Sequence, residues 1–448
     1  MHIEELHLEN FRGFQELTLK FPSDVAVFIG VNGSGKSSIL DSIAIILSQF
    51  VFALRKQGKK VSEFDLTEDD ININSDTTNN YIRVAIDSNM NRWSISRDRK
   101  RLKSITNRKG INLYASQLLQ ELEDKNDLSL PILVYYKTQR IVINSSSRNS
   151  SSLKDGSEND ESRQFLRNSN QLDAYRTAFS SNVNDFQDFF DWFKEEEEYE
   201  NEVRLREDQS FRNPSLEIVR KVIEKFLEGF PNTQFTNLHV VRATASRELG
   251  IRRLMTPTLV INKNGKDLKI DQLSDGEKTV LMLVVDIARR LAILNPSITN
   301  PSELLNKGKG IILIDEVDLH LHPQWQRIVL PSFTKTFPSC QFIVTTHSPQ
   351  VLSGIKRENV FILEDSAVVE VTPHTFGRDT NSILFEVMGV EKRHIKVQEK
   401  LDNCFKLIDN EKLEEAKKEV KKLSELLGDN DSEIVRAYTL IDFFNRVE

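Results

Sequence analysis

VFIGVNGSGKSSIL, Val27 to Leu40, contains at Gly30 to Ser37 the pattern GxxxxGK[ST], in which glycines let backbone N–H groups close around phosphates while a lysine and a hydroxyl complete the cradle. The apolar run Val25 to Ile29 reads as a buried strand and Ser37 to about Leu54 as an amphipathic helix, so the loop falls where the chemistry requires. A glycine-rich turn capping a helix is the plain alternative. In the phosphate reading Gly30, Gly33 and Gly35 shape the loop, and the N–H groups of Asn32, Gly33, Ser34, Gly35, Lys36 and Ser37 hold the phosphates, with Ser38 beside them. Lys36 reaches the β and γ oxygens as a catalytic cation, and Ser37 supplies a Mg²⁺ ligand.

At 448 residues the chain is long enough for about two or three domains. No apolar span of ~20 residues and no signal peptide stands out, so a cytoplasmic protein without membrane contact is expected. Cys340 and Cys404 are the only cysteines, which excludes a disulfide framework or a cysteine-ligated zinc site within one chain. A net charge of −7 argues against wholesale nucleic-acid coating. A local basic patch stays open: SRDRKRLKSITNRK, Ser96 to Lys109, has seven cationic side chains against one acidic, and its residues 97–109 are candidates for DNA contact, a solvated charged hairpin being the alternative.

Ile3, Leu6 and Leu8, then Leu17, Leu19 and Phe21, predict two antiparallel strands joined at NFRGF. This pair, followed directly by a phosphate loop, resembles the head domain of SMC, RecF and OLD family ATPases. The resemblance implies an α/β fold: an ABC-type, SMC/RecF-like P-loop ATPase head that binds ATP with Mg²⁺, and it brings Arg12 near the nucleotide. A strand at Ile132 to Tyr136 ends in YYKTQR, and in ABC-type heads a glutamine reaches Mg²⁺ from this region, which makes Gln139 a candidate. Residues 145–163 are rich in Ser, Asn and Asp and predict a mobile loop. Phe186, Phe189, Phe190 and Phe193 at helical spacing predict a packing face ahead of the acidic run Lys194 to Glu202, itself a solvated face or a dock for a basic partner. A helix over about Ser215 to Glu228, strands at Leu238 to Arg242 and Thr258 to Ile261, and a hairpin turn at Asn264 and Gly265 complete an inserted, mainly helical lid.

LSDGEKTVLMLVVDIARRLA, Leu273 to Ala292, opens a helix with Ser274 and Glu277 spaced as a capping box. It also resembles the ABC signature LSGGQ, with Asp275 and Glu277 departing from the usual Gly and Gln. On that resemblance Ser274 and Gly276 contact the γ-phosphate bound by the opposite subunit, so a head-to-head dimer or a higher homo-oligomer is implied. GIILIDEVDLHLHP, Gly310 to Pro323, has four aliphatic residues before an acidic pair, as a central parallel strand feeding a metal site should. Asp315 would hold Mg²⁺ and Glu316 would polarise the attacking water. His320 and His322 as transition-metal ligands are the alternative, with no third ligand evident. After the strand in CQFIVTTHSPQVL, His347 falls where ABC-type heads place the histidine that senses the γ-phosphate.

Beyond about Arg393, Val397, Leu401, Cys404 and Ile408 form one stripe, and Leu413, Ala416, Val420, Leu423 and Leu427 another, which predicts a C-terminal helical hairpin. The boundaries read as 1–144 and 257–390 for the two parts of the head, 145–256 for the lid and 391–448 for the tail. GRDTNSIL (Gly377 to Leu384), YYKTQR and the phenylalanine–glutamate helix are similar to the PtuA-type ATPases of Septu and retron-associated anti-phage systems. That resemblance implies an ATPase without a nuclease site of its own, controlling a separate HNH nuclease partner of the PtuB kind. A RecF- or SMC-like DNA repair or maintenance ATPase is the alternative.

Overall fold

The computed structural model describes residues 1–55, 64–87, 89–100, 105–124, 128–138, 171–179, 185–231, 233–242, 257–369, 373–391 and 393–447. Gln139, the serine-rich loop 145–163 and residues 101–104 of the basic stretch lie outside them. In chain order the first strands and helix are β1 (His2–Phe11), β2 (Phe14–Lys20), β3 (Val25–Gly30) and α1 (Lys36–Arg55). Then come β4 (Thr77–Ile86), β5 (Asn89–Asp98), β6 (Ile105–Asn107), α2 (Arg108–Asp124) and β7 (Ile132–Tyr136). Next come α3 (Asp185–Arg206), α4 (Pro214–Leu227), β8 (Phe235–Val241), β9 (Thr258–Lys263) and β10 (Lys266–Lys269). The second part of the head follows with α5 (Asp275–Leu294), α6 (Pro301–Lys307), β11 (Gly310–Ile314), α7 (Pro323–Thr336), β12 (Cys340–Thr345), α8 (Pro349–Leu352), β13 (Val360–Glu364) and β14 (Ala367–Val368). The chain ends in α9 (Thr380–Glu386), α10 (Ile395–Asp409), α11 (Leu413–Leu427) and α12 (Ser432–Val447).

The strands with unbroken aliphatic runs form one sheet in the order β14-β13-β3-β12-β11-β7, parallel except for β14. Every residue of β7, β11 and β12 is buried, which is what a sheet covered on both faces selects. Placing β12 between β3 and β11 sends the loops after β3, β12, β11 and β7 to the same, carboxyl edge, where ligands of parallel sheets bind. Helix α1 is long and apolar enough to cross a membrane, yet it is the core helix here, with Ile39, Leu40, Ile43, Ile46, Leu47 and Phe50 at 2% exposure or less.

The second sheet is antiparallel, β2-β1-β4-β5-β6. The β1–β2 pair turns at NFRGF as the alternation predicts, with Phe11 opposite Phe14. The β4–β5 hairpin has no counterpart in the sequence expectation. Its inward face carries Thr78 and Asn80 among Ile82 and Val84, and these polar residues tolerate burial because Thr78 donates to Glu9 O and Asn80 to Thr78 Oγ1. They hide the period-2 signal. Strands β9 and β10 turn at Asn264 and Gly265, both with positive φ. Phe189 and Phe193 of α3 are buried and in ring contact.

The chain divides into two compact units, Met1–Arg378 and Asp379–Glu448. In the second, the two stripes expected of a hairpin are met by a third, Ile434, Ala437 and Ile441 of α12, so a three-helix core forms around Leu401, Cys404, Ile408, Ala416, Val420 and Leu423.

A buried charge cluster ties α5 to β7. Asp286 accepts from Arg289 and Arg290, each at 2.6 Å, and from the Tyr136 hydroxyl at 2.8 Å. Arg290 donates onward to Ala174 O and Thr177 Oγ1. Burial alone would raise the Asp286 pKa, but Arg290 and then Arg289 override it and hold it at about 2. A carboxylate depressed in the folded state adds stability above its unfolded pKa and loses it as pH falls through the folded one. Asp286→Asn is therefore expected to cost about 3–5 kcal/mol in urea unfolding at pH 7, because Arg290 keeps its charge in the core. The gap to wild type should narrow between about pH 4 and pH 2; a gap independent of pH would contradict this account.

Candidate functional site

The phosphate loop leaves β3 at Gly30 and enters α1 at Lys36, with positive φ at Gly30, Gly33 and Gly35. Gly35 has no substitute: its φ is +98°, and a Cβ there would stand 2.4 Å from Phe14 Cζ of the neighbouring turn. The Lys36 ammonium is largely buried and donates to Gly30 O and Val31 O, both at 2.9 Å, so it is held across the loop. Burial lowers its pKa, while Asp315 and Glu316 pull the other way. The Ser34 hydroxyl is buried with no hydrogen-bond partner among the described residues. The first N–H groups of α1 have no acceptor within the helix, so the loop and helix end together form a concave set of donors suited to an anion.

Asp315, at the end of β11, gathers three hydroxyls. Ser37 Oγ donates at 3.0 and 3.1 Å, Thr345 Oγ1 at 2.6 Å and Thr138 Oγ1 at 3.2 Å. Its backbone N–H donates to Tyr136 O at 2.9 Å. The ends of β7, β11 and β12 and the start of α1 thus meet on one carboxylate. Glu316 follows in the left-handed region, at φ +48°, with its N–H donating to Thr345 Oγ1 at 2.7 Å. A non-glycine residue in that conformation carries strain that the surroundings must hold, and the Thr345 hydroxyl does so from one side. Thr346 Oγ1 donates to Asp318 at 2.5 Å, and half-buried His347 comes next. Thr138 and Thr345 escape the motif reading; the available signal is a hydroxyl at or just past the end of an aliphatic strand, in each case within two residues of a candidate, Gln139 or His347.

Arg12 sits in its turn at φ +51°. Its guanidinium donates to Asp41 at 2.7 Å, Asp70 at 2.8 Å and Ser38 Oγ at 3.3 Å, which pins the antiparallel sheet to the first turns of α1. In the basic stretch, Arg97 donates to Leu66 O and Arg99 to Ser75 O and Asn72 O, so both guanidinium groups brace the segment between α1 and β4.

Ser274 caps α5: its hydroxyl accepts from Glu277 N at 3.4 Å, and its own N–H donates to Glu277 Oε2 at 3.0 Å. Glu277 also pairs with Lys263 of β9 at 2.5 Å. Gly276 is demanded by packing, since a Cβ would stand 2.5 Å from His320 O in the loop after β11. His322 caps α7, with Nδ1 accepting from Gln324 N at 3.3 Å, and among the described residues no group of three His, Cys, Asp or Glu could hold a metal. His320 thus lies in the loop after β11 and His322 serves as the cap of α7.

A phosphate loop after one parallel strand, an acidic pair after a strand two places away and a capped LSDGE helix beside it define an α/β P-loop ATPase head. The chain belongs to the family described as "AAA domain, putative AbiEii toxin, Type IV TA system", which matches residues 25–353, and it is an ATPase. It is 30% identical to the "Retron Ec83 probable ATPase" of Escherichia coli over 97% of this chain and 85% of that protein. It is 31% identical to the "Retron Vc95 probable ATPase" of Vibrio cholerae serotype O1 biovar El Tor over 86% of this chain and 78% of that protein. A shorter part, 36% of the chain, is 30% identical to 22% of the Septu protein PtuA of Bacillus mycoides (strain KBAB4).

Gly35→Ala is expected to weaken ATP binding by about tenfold or more, measured by calorimetry, through both the forbidden φ and the Phe14 contact. Phe14→Ala added to it should recover only part of the loss. Full recovery would show that backbone conformation is not what the glycine provides.

Proposed function

We propose that this ATPase is the regulatory subunit of an anti-phage defence system, using ATP between paired heads as a conformational signal to a separate HNH nuclease. The similarity to retron ATPases over nearly the whole chain supports the defence setting. The observation that carries the site assignment is the contact of Ser37 with Asp315 at 3.0–3.1 Å, which joins the phosphate loop to the acidic strand end across 278 positions of sequence.

In this reading the loop N–H groups from Asn32 to Ser37 bind the phosphates and Lys36 leaves its two carbonyls for the β and γ oxygens. Ser37 and Asp315 fit a hard divalent cation, since their oxygens already converge on one point. They would hold Mg²⁺, which supplies charge neutralisation on the phosphates. Thr138 and Thr345 orient the Asp315 carboxylate. Glu316 accepts the proton of the attacking water, its backbone fixed by Thr345. His347 senses the γ-phosphate, and Ser274 and Gly276 complete the site of a second head. Arg12 transmits the state of α1 to the antiparallel sheet through Asp41 and Ser38.

Glu316→Gln should lower ATP turnover by about a hundredfold or more while keeping binding and favouring a dimer in light scattering, and Lys36→Ala should lose binding instead. Normal turnover in Glu316→Gln would remove it as the general base. For the partner, purification from the native host should recover an HNH protein in stoichiometric amount. ATP-dependent binding of duplex DNA by the isolated chain, with no such protein recovered, would replace the defence reading with a RecF-like one.

A further inference from the structure

A cleft of about 880 Å³ opens between the lid helices α3 and α4 and the side of the head formed by α2 and α5, away from the phosphate loop. One wall is a single face of α3: Asp188, Asp191, Trp192 and Glu195 recur at the three- and four-residue spacing that puts side chains above one another. Leu119 of α2, Ile218 of α4 and Ile293 of α5 line the cleft with apolar surface.

Among the described residues the charge in the cleft is one-sided. Its lining includes six carboxylates (Glu123, Asp173, Asp188, Asp191, Glu195 and Glu196) and two guanidinium groups, Arg176 and Arg289. Arg289 is committed to Asp286. Asp173 lies 3.8 Å from Arg55, Asp191 accepts from Gln187, and Glu196 from Asn213. Glu123, Asp188 and Glu195 make no hydrogen bond or ion pair among the described residues. Like charges stacked along a helix face repel, and Glu195 registers it: burial and then Asp191 and Glu196 raise its pKa, against Lys194. A folded protein that keeps such a face beside an indole and aliphatic walls is complementary to one kind of group, a planar cation on an apolar stem.

We propose that this cleft receives an arginine side chain presented by a partner protein, its guanidinium stacked on Trp192 and paired with Asp188 and Glu195. Arginine suits it better than lysine because the guanidinium is weakly hydrated, stacks on aromatic faces and pairs with carboxylates through two donors. The cleft lies where the lid meets the head, so an occupant would touch α3 and the same α5 whose N-terminus is the signature. The inference goes beyond the nuclease reading and does not depend on it.

The test is fluorescence anisotropy of the full chain with a short labelled peptide carrying two arginines among leucines, and with its lysine and citrulline versions. The arginine peptide should bind about tenfold more tightly than the citrulline one and several-fold more tightly than the lysine one. Asp188→Asn/Glu195→Gln, and separately Trp192→Leu, should each weaken it about tenfold with ATP turnover unchanged. Glu414→Gln/Glu415→Gln, which removes the same charge from the C-terminal unit, should stay within about twofold. Equal binding of all three peptides, or equal loss in both double variants, would overturn the proposal. Spermidine displacing the peptide at lower concentration than free peptide would also overturn it, in favour of a diffusible polyamine.

Discussion

The contact on which the rest of the head depends is the convergence of Ser37, Thr138 and Thr345 on the Asp315 carboxylate. Four separate segments end there, and none of them contacts the others through sequence proximity. A carboxylate at the edge of a buried sheet is costly unless each oxygen finds donors, and here the donors are the hydroxyls that end the strands on either side and the one that opens α1. Satisfying that charge sets the axial position of α1 against β11. The glycines of the phosphate loop then follow, because the chain must turn from β3 into α1 within the space left by Phe14.

Behind this contact lies the Asp286 cluster, which reaches the same strand from the other side. Tyr136 gives its carbonyl to Asp315 N and its hydroxyl to Asp286. The strand end that supports the acidic pair is therefore also bonded to the helix whose N-terminus is LSDGE. A displacement of α5 cannot leave β7 unaffected without breaking a buried, charge-assisted hydrogen bond. Arg12 plays the matching part on the opposite side of α1, where Asp41 and Asp70 bind one guanidinium from two different layers. The phosphate loop and the Asp315 carboxylate are thus joined to both α5 and the antiparallel sheet through short polar links.

Much of this was legible in the residues. The aliphatic runs at Val25, Ile132, Gly310 and Cys340 announce strands buried on both faces, and the spacing of Ser274 and Glu277 announces a capped helix. The β4–β5 hairpin was not legible, because Thr78 and Asn80 take inward positions that pattern reading reserves for apolar residues. They are acceptable only once Glu9, 69 positions before Thr78, supplies the acceptor for Thr78 and Thr78 that for Asn80. The third tail helix has its own stripe at Ile434, Ala437 and Ile441, but a hairpin of two helices already accounts for two facing stripes, and only the three-way packing shows that a third is needed.

The sequence by itself determined the local patterns: a lysine and hydroxyl after glycines, an acidic pair after a strand and a histidine after another, each placed where the strands and helices put it. Only the tertiary structure decided which groups meet. Thr138 and Thr345 carry no motif, Gly276 looks like part of a signature yet is required by His320 O, and the acid-lined cleft exists because α3 crosses α5. These are relations between residues distant in the chain, fixed by burial and charge satisfaction in three dimensions, and a local pattern has no means of recording them.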